Sequence, residues 1–93
     1  MKPRIGQIVT IYGYLSNGSE EHPAIINRVW PRQPQSEHVP INLTAFPDSL
    51  PPVTMNAVYL FPTKDRAIAY RADTPGAHVV AFLSEQTRGA DRF

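Results

Sequence analysis

Arg28 and Trp30 are the residues of this chain whose types and spacing best fit a binding site. They lie two positions apart in HPAIINRVW (22–30), so in a strand their side chains share a face, in phase with Ile26. A guanidinium beside an indole can hold a phosphate while a base stacks on the ring. An arginine whose aliphatic stem covers the indole at the rim of a small barrel explains the pair equally well.

Four further residues are candidates for the same site. His22 and Asn42 can supply hydrogen bonds, and two tyrosines can supply rings on which bases or prolines stack. The Asn42 amide can read a ligand edge, or it can bond to a neighbouring strand. The aromatic residues can instead form the core, since a small domain must bury its large side chains. The candidate ligand-binding set is Arg28, Trp30, His22, Asn42, Tyr14 and Tyr70.

The residues that catalysis or a metal would need are poorly arranged. The three histidines, His22, His38 and His78, belong to three different predicted elements, and no spacing between them is typical of a known reaction. The chain contains no cysteine, which excludes disulfides, thiolate metal sites and a cysteine nucleophile. We therefore expect a non-enzymatic protein with no metal and no cofactor.

Length and charge narrow the class of protein. Ninety-three residues with 42% apolar content predict one folded domain. Nine basic residues against eight acidic ones give a net charge of +1, which makes no electrostatic case for binding duplex nucleic acid or an anionic membrane. No stretch is long and apolar enough to span a bilayer. We expect a protein that is made and kept inside a cell.

Ten prolines divide the chain into short segments and leave no room for a long helix before Pro62. β-Branched and aromatic residues between the prolines indicate strands, with Asn17-Gly18 as a turn signal in a polar loop over 16–21. The segment 66–71 (RAIAYR) is predicted as a short strand, although its alanines also suit a helical turn. The predicted strands are 6–14, 22–30, 38–46, 53–61, 66–71 and 78–83.

This pattern predicts an all-β fold, a small five- to six-stranded SH3-like barrel. Closure into a barrel removes the exposed sheet edges. We expect one domain over residues 1–83 and a polar tail over 84–93. Two strands have clear faces, one made of Val39, Ile41, Leu43 and Ala45, the other of Val53, Met55, Ala57, Tyr59 and Phe61.

The segments HPAIINRVW (22–30) and INLTAFPDS (41–49) resemble a group of small bacteriophage and prophage proteins. That group has a glycine-led first strand, a (H/R)PA-x-(I/V)-x-x-VW strand, a VNL-x-VF-x-DG strand and a PG-x-W-H-W end. This chain departs from the pattern in having HVVAF in place of the aromatic end and Ser49 in place of the usual glycine. The matching positions are Gly6, His22, Pro23, Ala24, Val29, Trp30, Asn42, Leu43, Phe46, Asp48, Pro75 and Gly76.

The resemblance implies a phage-encoded β domain that acts in the cytoplasm of an infected host. Small phage proteins of this kind often counter host defence, so we expect binding of a small anionic signal such as a cyclic nucleotide, or of a host defence protein. A minor virion structural or assembly protein is the alternative, and a small hydrolase is a third. Tyr70 and the apolar segment 79–82 also predict an exposed apolar edge, and through it a homo-oligomer.

Overall fold

The computed structural model describes residues 1–84 as a closed barrel of five strands with one helix. Sequential strands pair antiparallel from the first to the fourth, and the last strand closes the barrel by pairing antiparallel with the first and parallel with the fourth. The predicted small all-β barrel is confirmed, while its SH3-like type stays a prediction. The elements are β1 (Ile8–Ser16), β2 (Ser19–Val29), β3 (Val39–Ala45), β4 (Val53–Phe61), α1 (Lys64–Asp73) and β5 (Val80–Leu83).

The turn between β1 and β2 forms where the sequence predicts it. Asn17 and Gly18 have φ values of 51° and 80°, and Ser16 pairs with Ser19 across them. Two successive residues with positive φ make the type I′ turn that matches the twist of a hairpin. The strands therefore run up to the turn itself, and the loop predicted over 16–21 shrinks to two residues.

The described residues form two hydrophobic cores, one on each side of the barrel wall. The barrel interior holds fully buried aliphatic side chains from every strand, among them Ile11, Ile26 and Leu43. Outside the wall, α1 covers Phe61 and Phe82 with Ala67 and Tyr70. Ala67 and Tyr70 are three residues apart, so they share one helix face. The strand predicted over 66–71 is wrong. The segment belongs to a helix, and the helix face that carries Ala67 and Tyr70 covers the apolar outer wall of the barrel.

The predicted strand faces are correct for β3 and partly wrong for β2 and β4. Val39, Ile41, Leu43 and Ala45 all point into the core, as their alternation predicts. In β4 a register shift between Met55 and Val58 changes the phase, so Val58 and Leu60 enter the core instead of Ala57 and Tyr59. In β2 a similar shift follows Ile26. A bulge adds one residue and reverses the face of everything after it, which period-2 counting cannot foresee.

The apolar edge that the sequence predicts near β5 does not exist in the described residues. β5 pairs on both sides, and Val80, Ala81 and Phe82 are at most 5% exposed. The homo-oligomer stays a prediction, without this surface as its basis. The tail predicted over 84–93 lies outside the described residues except for Ser84, which is buried beside the Thr10 hydroxyl. No helix within residues 1–84 is long and apolar enough to cross a membrane.

Gly13 offers a direct test of the close approach between β1 and the segment before β5. A Cβ at this position would lie 2.1 Å from the His78 carbonyl oxygen, and the φ of +108° already disfavours any side chain. We expect Gly13→Ala to lower the free energy of unfolding by at least about 3 kcal/mol, through clash and strain together. Gly18→Ala is the matched control, since its φ is +80° but nothing lies within 4 Å of the added Cβ.

The control should lose only about 1–2 kcal/mol, the cost of a left-handed conformation for alanine. Urea unfolding followed by Trp30 fluorescence measures both variants. Equal losses in Gly13→Ala and Gly18→Ala would contradict the close approach.

Candidate functional site

Asn42 lies at the point where both of its neighbouring strands bulge. On one side the register shift in β2 places Arg28 opposite Asn42, and on the other the shift in β4 leaves Asn56 and Ala57 facing it. The Asn42 Oδ1 accepts hydrogen bonds from the Trp30 indole Nε1–H at 3.0 Å and from the Ala57 backbone N–H at 2.9 Å. One side-chain oxygen therefore links β3 to β4 and to the residue that follows β2, and it fixes the orientation of the indole.

Arg28 lies over the face of Trp30. Its guanidinium carbon is 3.8 Å from the centroid of the indole, close enough for a cation–π interaction. Arg28 is exposed, and among residues 1–84 no carboxylate forms an ion pair with it. The stacked guanidinium is thus a positive charge that is held in place by a ring and not neutralised by the described part of the fold.

A shallow groove of about 390 Å³ lies beside Trp30, and Arg28 reaches it only through its contact with that ring. Its walls are mostly apolar and include two half-buried aromatic rings, Trp30 and Tyr59. The residues that line it are Trp30, Pro31, Gln33, Pro40, Ala57 and Tyr59. Ligand pockets in proteins are typically of this size or larger, apolar with a few polar groups.

The groove is backed by a cluster of aromatic rings. The His38 imidazole stacks on Tyr59, with ring centroids 4.4 Å apart and planes at 27°. Tyr70 meets Tyr59 edge to face at 5.7 Å and packs against Phe61. Tyr70 lies on α1 and not on a strand, and it reaches the groove only through Tyr59. The cluster stiffens the wall that Tyr59 presents to the groove.

The structure brings together three of the six predicted site residues, Arg28, Trp30 and Asn42. Ile26, which the strand pattern places on their face, lies in the core because of the bulge. His22 is six residues before Arg28, roughly 20 Å along β2 at about 3.3 Å per residue. The expected convergence of all six residues on one pocket is not what the fold shows.

His22 and Tyr14 belong to a different arrangement at the other end of β2. The His22 Nε2 lies 2.7 Å from the Tyr14 carbonyl oxygen, and Nδ1 accepts from the Asp48 backbone N–H at 3.4 Å. A neutral imidazole with its proton on Nε2 satisfies both contacts. With His22 only 2% exposed, both ring nitrogens hold the fold together and neither is free for a ligand.

Tyr59, Pro40 and Ala57 are groove residues that sequence reasoning missed. The alternation of β4 places Tyr59 on one strand face with Phe61, and Pro40 carries no chemical signal. A weak signal existed in Pro31, because a proline directly after the tryptophan places a second flat apolar surface beside the indole. Nothing in the sequence marks Ala57, whose φ of +55° is unusual for a residue with a Cβ.

A second groove, of about 700 Å³, lies between α1 and the barrel wall. Thr10, His22 and Phe82 line it together with the start of the helix. Lys64 and Glu21 form an ion pair across it, and this hydrogen-bonded carboxylate raises the pKa of Lys64 above its usual value. The pair is exposed and contributes little to stability. Within residues 1–84, no three His, Asp or Glu side chains come together in a way that would hold a metal.

Comparisons with known proteins add no information on function. No protein-family model matches this chain, and neither curated proteins nor solved structures give a significant match. The arrangement of Arg28, Trp30 and the groove can bind a ligand that carries a planar group next to an anionic group.

Asn42→Leu tests whether one oxygen organises the site. The leucine has nearly the same size but accepts no hydrogen bond, so the indole N–H and the Ala57 N–H both lose their partner. We expect a loss of about 1–3 kcal/mol in the free energy of unfolding and an altered Trp30 emission spectrum. Asn42→Asp, which keeps the accepting oxygen, is the control and should retain most of the stability and the parent spectrum. A leucine variant as stable as the parent would rule out this role.

Proposed function

We propose that this protein is a non-enzymatic binding protein whose ligand is small, anionic and planar in part, a cyclic nucleotide being the class that fits best. The single observation that carries the proposal is the exposed Arg28 guanidinium held over the Trp30 indole, a ring that also lines a groove. A nucleotide offers a flat base for the aromatic wall and a phosphate for the guanidinium.

The charge of Arg28 supports an anion as the ligand. In the described residues, exposed carboxylates form ion pairs with other cations, namely Glu21 with Lys64 and Glu37 with Arg66. Arg28 instead stacks on a ring, which leaves guanidinium N–H groups to donate to a phosphate. The hydrogen bond from Trp30 to Asn42 fixes the ring before any ligand arrives, so that less ordering is needed on binding.

A proline-rich peptide fits the groove less well. Aromatic grooves that recognise polyproline segments are the general precedent for rings and prolines on one surface. A peptide backbone needs donors for its carbonyl groups, and in this groove the indole N–H already donates to Asn42. Because the indole N–H is not available to a ligand, the groove favours ligands that bind by stacking and charge.

The resemblance to small phage proteins supports a biological setting for this binding. A phage protein that sequesters a cyclic-nucleotide signal in the host cytoplasm would lower the free concentration of that signal and so weaken a host defence that depends on it. Blocking a host defence protein through the same surface is the other form that counter-defence could take. Both forms use Arg28 and Trp30, and they differ only in whether a cyclic nucleotide or a host protein is bound.

Arg28→Ala is the sharpest test of the ligand. Loss of a charge-assisted hydrogen bond should weaken binding by about 1.5–3 kcal/mol, roughly 10- to 150-fold in Kd. Stability should change little, because an exposed arginine contributes little to folding. The measurement is titration calorimetry with 3′,5′-cyclic mononucleotides and with cyclic di- and trinucleotides, alongside thermal melting.

Arg32→Ala is the matched control, since it removes the same charge from an exposed position four residues along the chain. It should bind like the parent. If Arg28→Ala keeps full affinity but melts well below the parent, Arg28 is structural and the proposed site is wrong. If no cyclic nucleotide binds the parent, the small-ligand form is wrong, and capture of one host protein that depends on Arg28 would favour the other form.

A further inference from the structure

The outer wall of β1, β2 and the end of β3 is uncharged over six neighbouring positions. Ile8 lies opposite Ile25 across the first strand pair, and Thr10 lies opposite Pro23. Thr44 pairs with Ile25 across the next, and the Phe46 N–H donates to the Pro23 carbonyl at 2.9 Å. The uncharged wall is therefore a continuous patch made of Ile8, Thr10, Pro23, Ile25, Thr44 and Phe46.

Large apolar side chains of this wall are exposed to solvent. Ile8 is 49% exposed, Phe46 41% and Ile25 36%. Exposed apolar patches without charges are typical of the centres of protein interfaces. The adjoining part of the barrel wall, beyond Thr10, is covered by α1 and forms the second core. From this contrast we infer that the uncharged wall packs face to face against the same wall of a second copy of this chain.

The closed barrel dictates the face-to-face geometry. At the centre of the wall, β1 pairs with both β2 and β5 over residues 9–12, and Ile25 of β2 pairs with both β1 and β3, so an incoming chain has no strand edge there to extend. A partner must therefore bury side chains against the outward faces of β1 and β2. Ile25 is central in the uncharged wall, being paired with Ile8 on one side and Thr44 on the other.

The charges at the two ends of the wall select a second copy as the occupant. One end carries Glu21, with Lys64 and Asp65 nearby, for a net charge of −1. The other end carries Arg28 and also Arg4, which precedes the turn bonded to Ile26, for a net charge of +2. Two copies related by a two-fold axis through the wall place each acidic end on the other copy's basic end. This self-complementary pattern is what an isologous dimer requires.

The dimer should be weak. Strands are about 4.8 Å apart and alternate residues about 6.7 Å apart, so six positions make only a small interface centre. An interface of this size falls at the low end of specific complexes, below about 1,200 Å² of total buried surface. An anion bound at Arg28 would reduce the charge of the basic end. The mass is therefore measured without nucleotide.

Sedimentation equilibrium from low to high micromolar protein tests the inference. The parent chain should move from monomer to dimer over this range, and added salt should shift the midpoint to higher concentration. Ile25→Glu brings two carboxylates together near the two-fold axis and should leave a monomer throughout. Leu15→Glu is the matched control, because Leu15 is 68% exposed and lies beyond the irregularity in β1, outside the uncharged wall.

The control should dimerise like the parent. Circular dichroism and thermal melting confirm that both variants fold, which an exposed position allows. A parent that stays monomeric at high micromolar concentration overturns the inference. So does an Ile25→Glu variant that dimerises as well as the parent, because the interface would then lie elsewhere. Nucleotide binding at Trp30 is measured separately and stands or falls independently.

Discussion

The hydrogen-bonded oxygen of Asn42 is the constraint on which the exposed surface of this barrel depends. Asn42 stands on β3, which keeps a regular alternation, while both neighbouring strands carry an extra residue opposite it. Its Oδ1 accepts from a side chain on one side and from a backbone N–H on the other. Without this acceptor, the bulge in β4 would leave the Ala57 N–H without its partner, at a cost of about 1–3 kcal/mol if no water replaced it.

The two bulges decide what faces solvent and what faces the core. If β2 kept its phase, Arg28 and Trp30 would follow Ile26 into the interior, where a guanidinium without a carboxylate partner is very costly. The bulge turns both outward and keeps Val29 against the core. In β4 the bulge lets Met55 and Val58 both contact the interior. Irregular pairing at one point thus permits an apolar barrel and a cationic aromatic surface to share the same strands.

The parts of the fold that depend on local chemistry could be predicted from the sequence. Asn17-Gly18 specifies a two-residue hairpin, and the alternation around Leu43 specifies a half-buried strand. The helix at 64–73 could not be separated from a strand, because six residues with alternating alanines satisfy both periods. Tertiary packing favours the helix, because Phe61 and Phe82 lie on the outer wall of two different strands and one element must cover both.

The candidate site was predictable only in part, for a related reason. Arg28 and Trp30 are two apart, and their contact survives the bulge because the extra residue comes before both. Their separation from Ile26 depends on a pairing shift that no residue type announces. His22 is a polar residue on the strand's inward face, and its burial follows from contacts with Tyr14 and Asp48, which lie 8 and 26 residues away in the sequence. Long-range partners of this kind decide whether a histidine serves a ligand or the fold.

The way Trp30 is held bears on the kind of ligand that its surface can take. An exposed tryptophan normally samples several rotamers, and fixing one on binding costs about 0.5–1.5 kcal/mol. Here the indole N–H is committed to Asn42 and one ring face to Arg28, so that cost is largely met by folding. The same commitments remove the ring's only hydrogen-bond donor. A surface built in this way offers shape, a π-face and a positive charge. Under the proposed function, it would discriminate between ligands by flatness and charge, and only weakly by hydrogen-bond pattern.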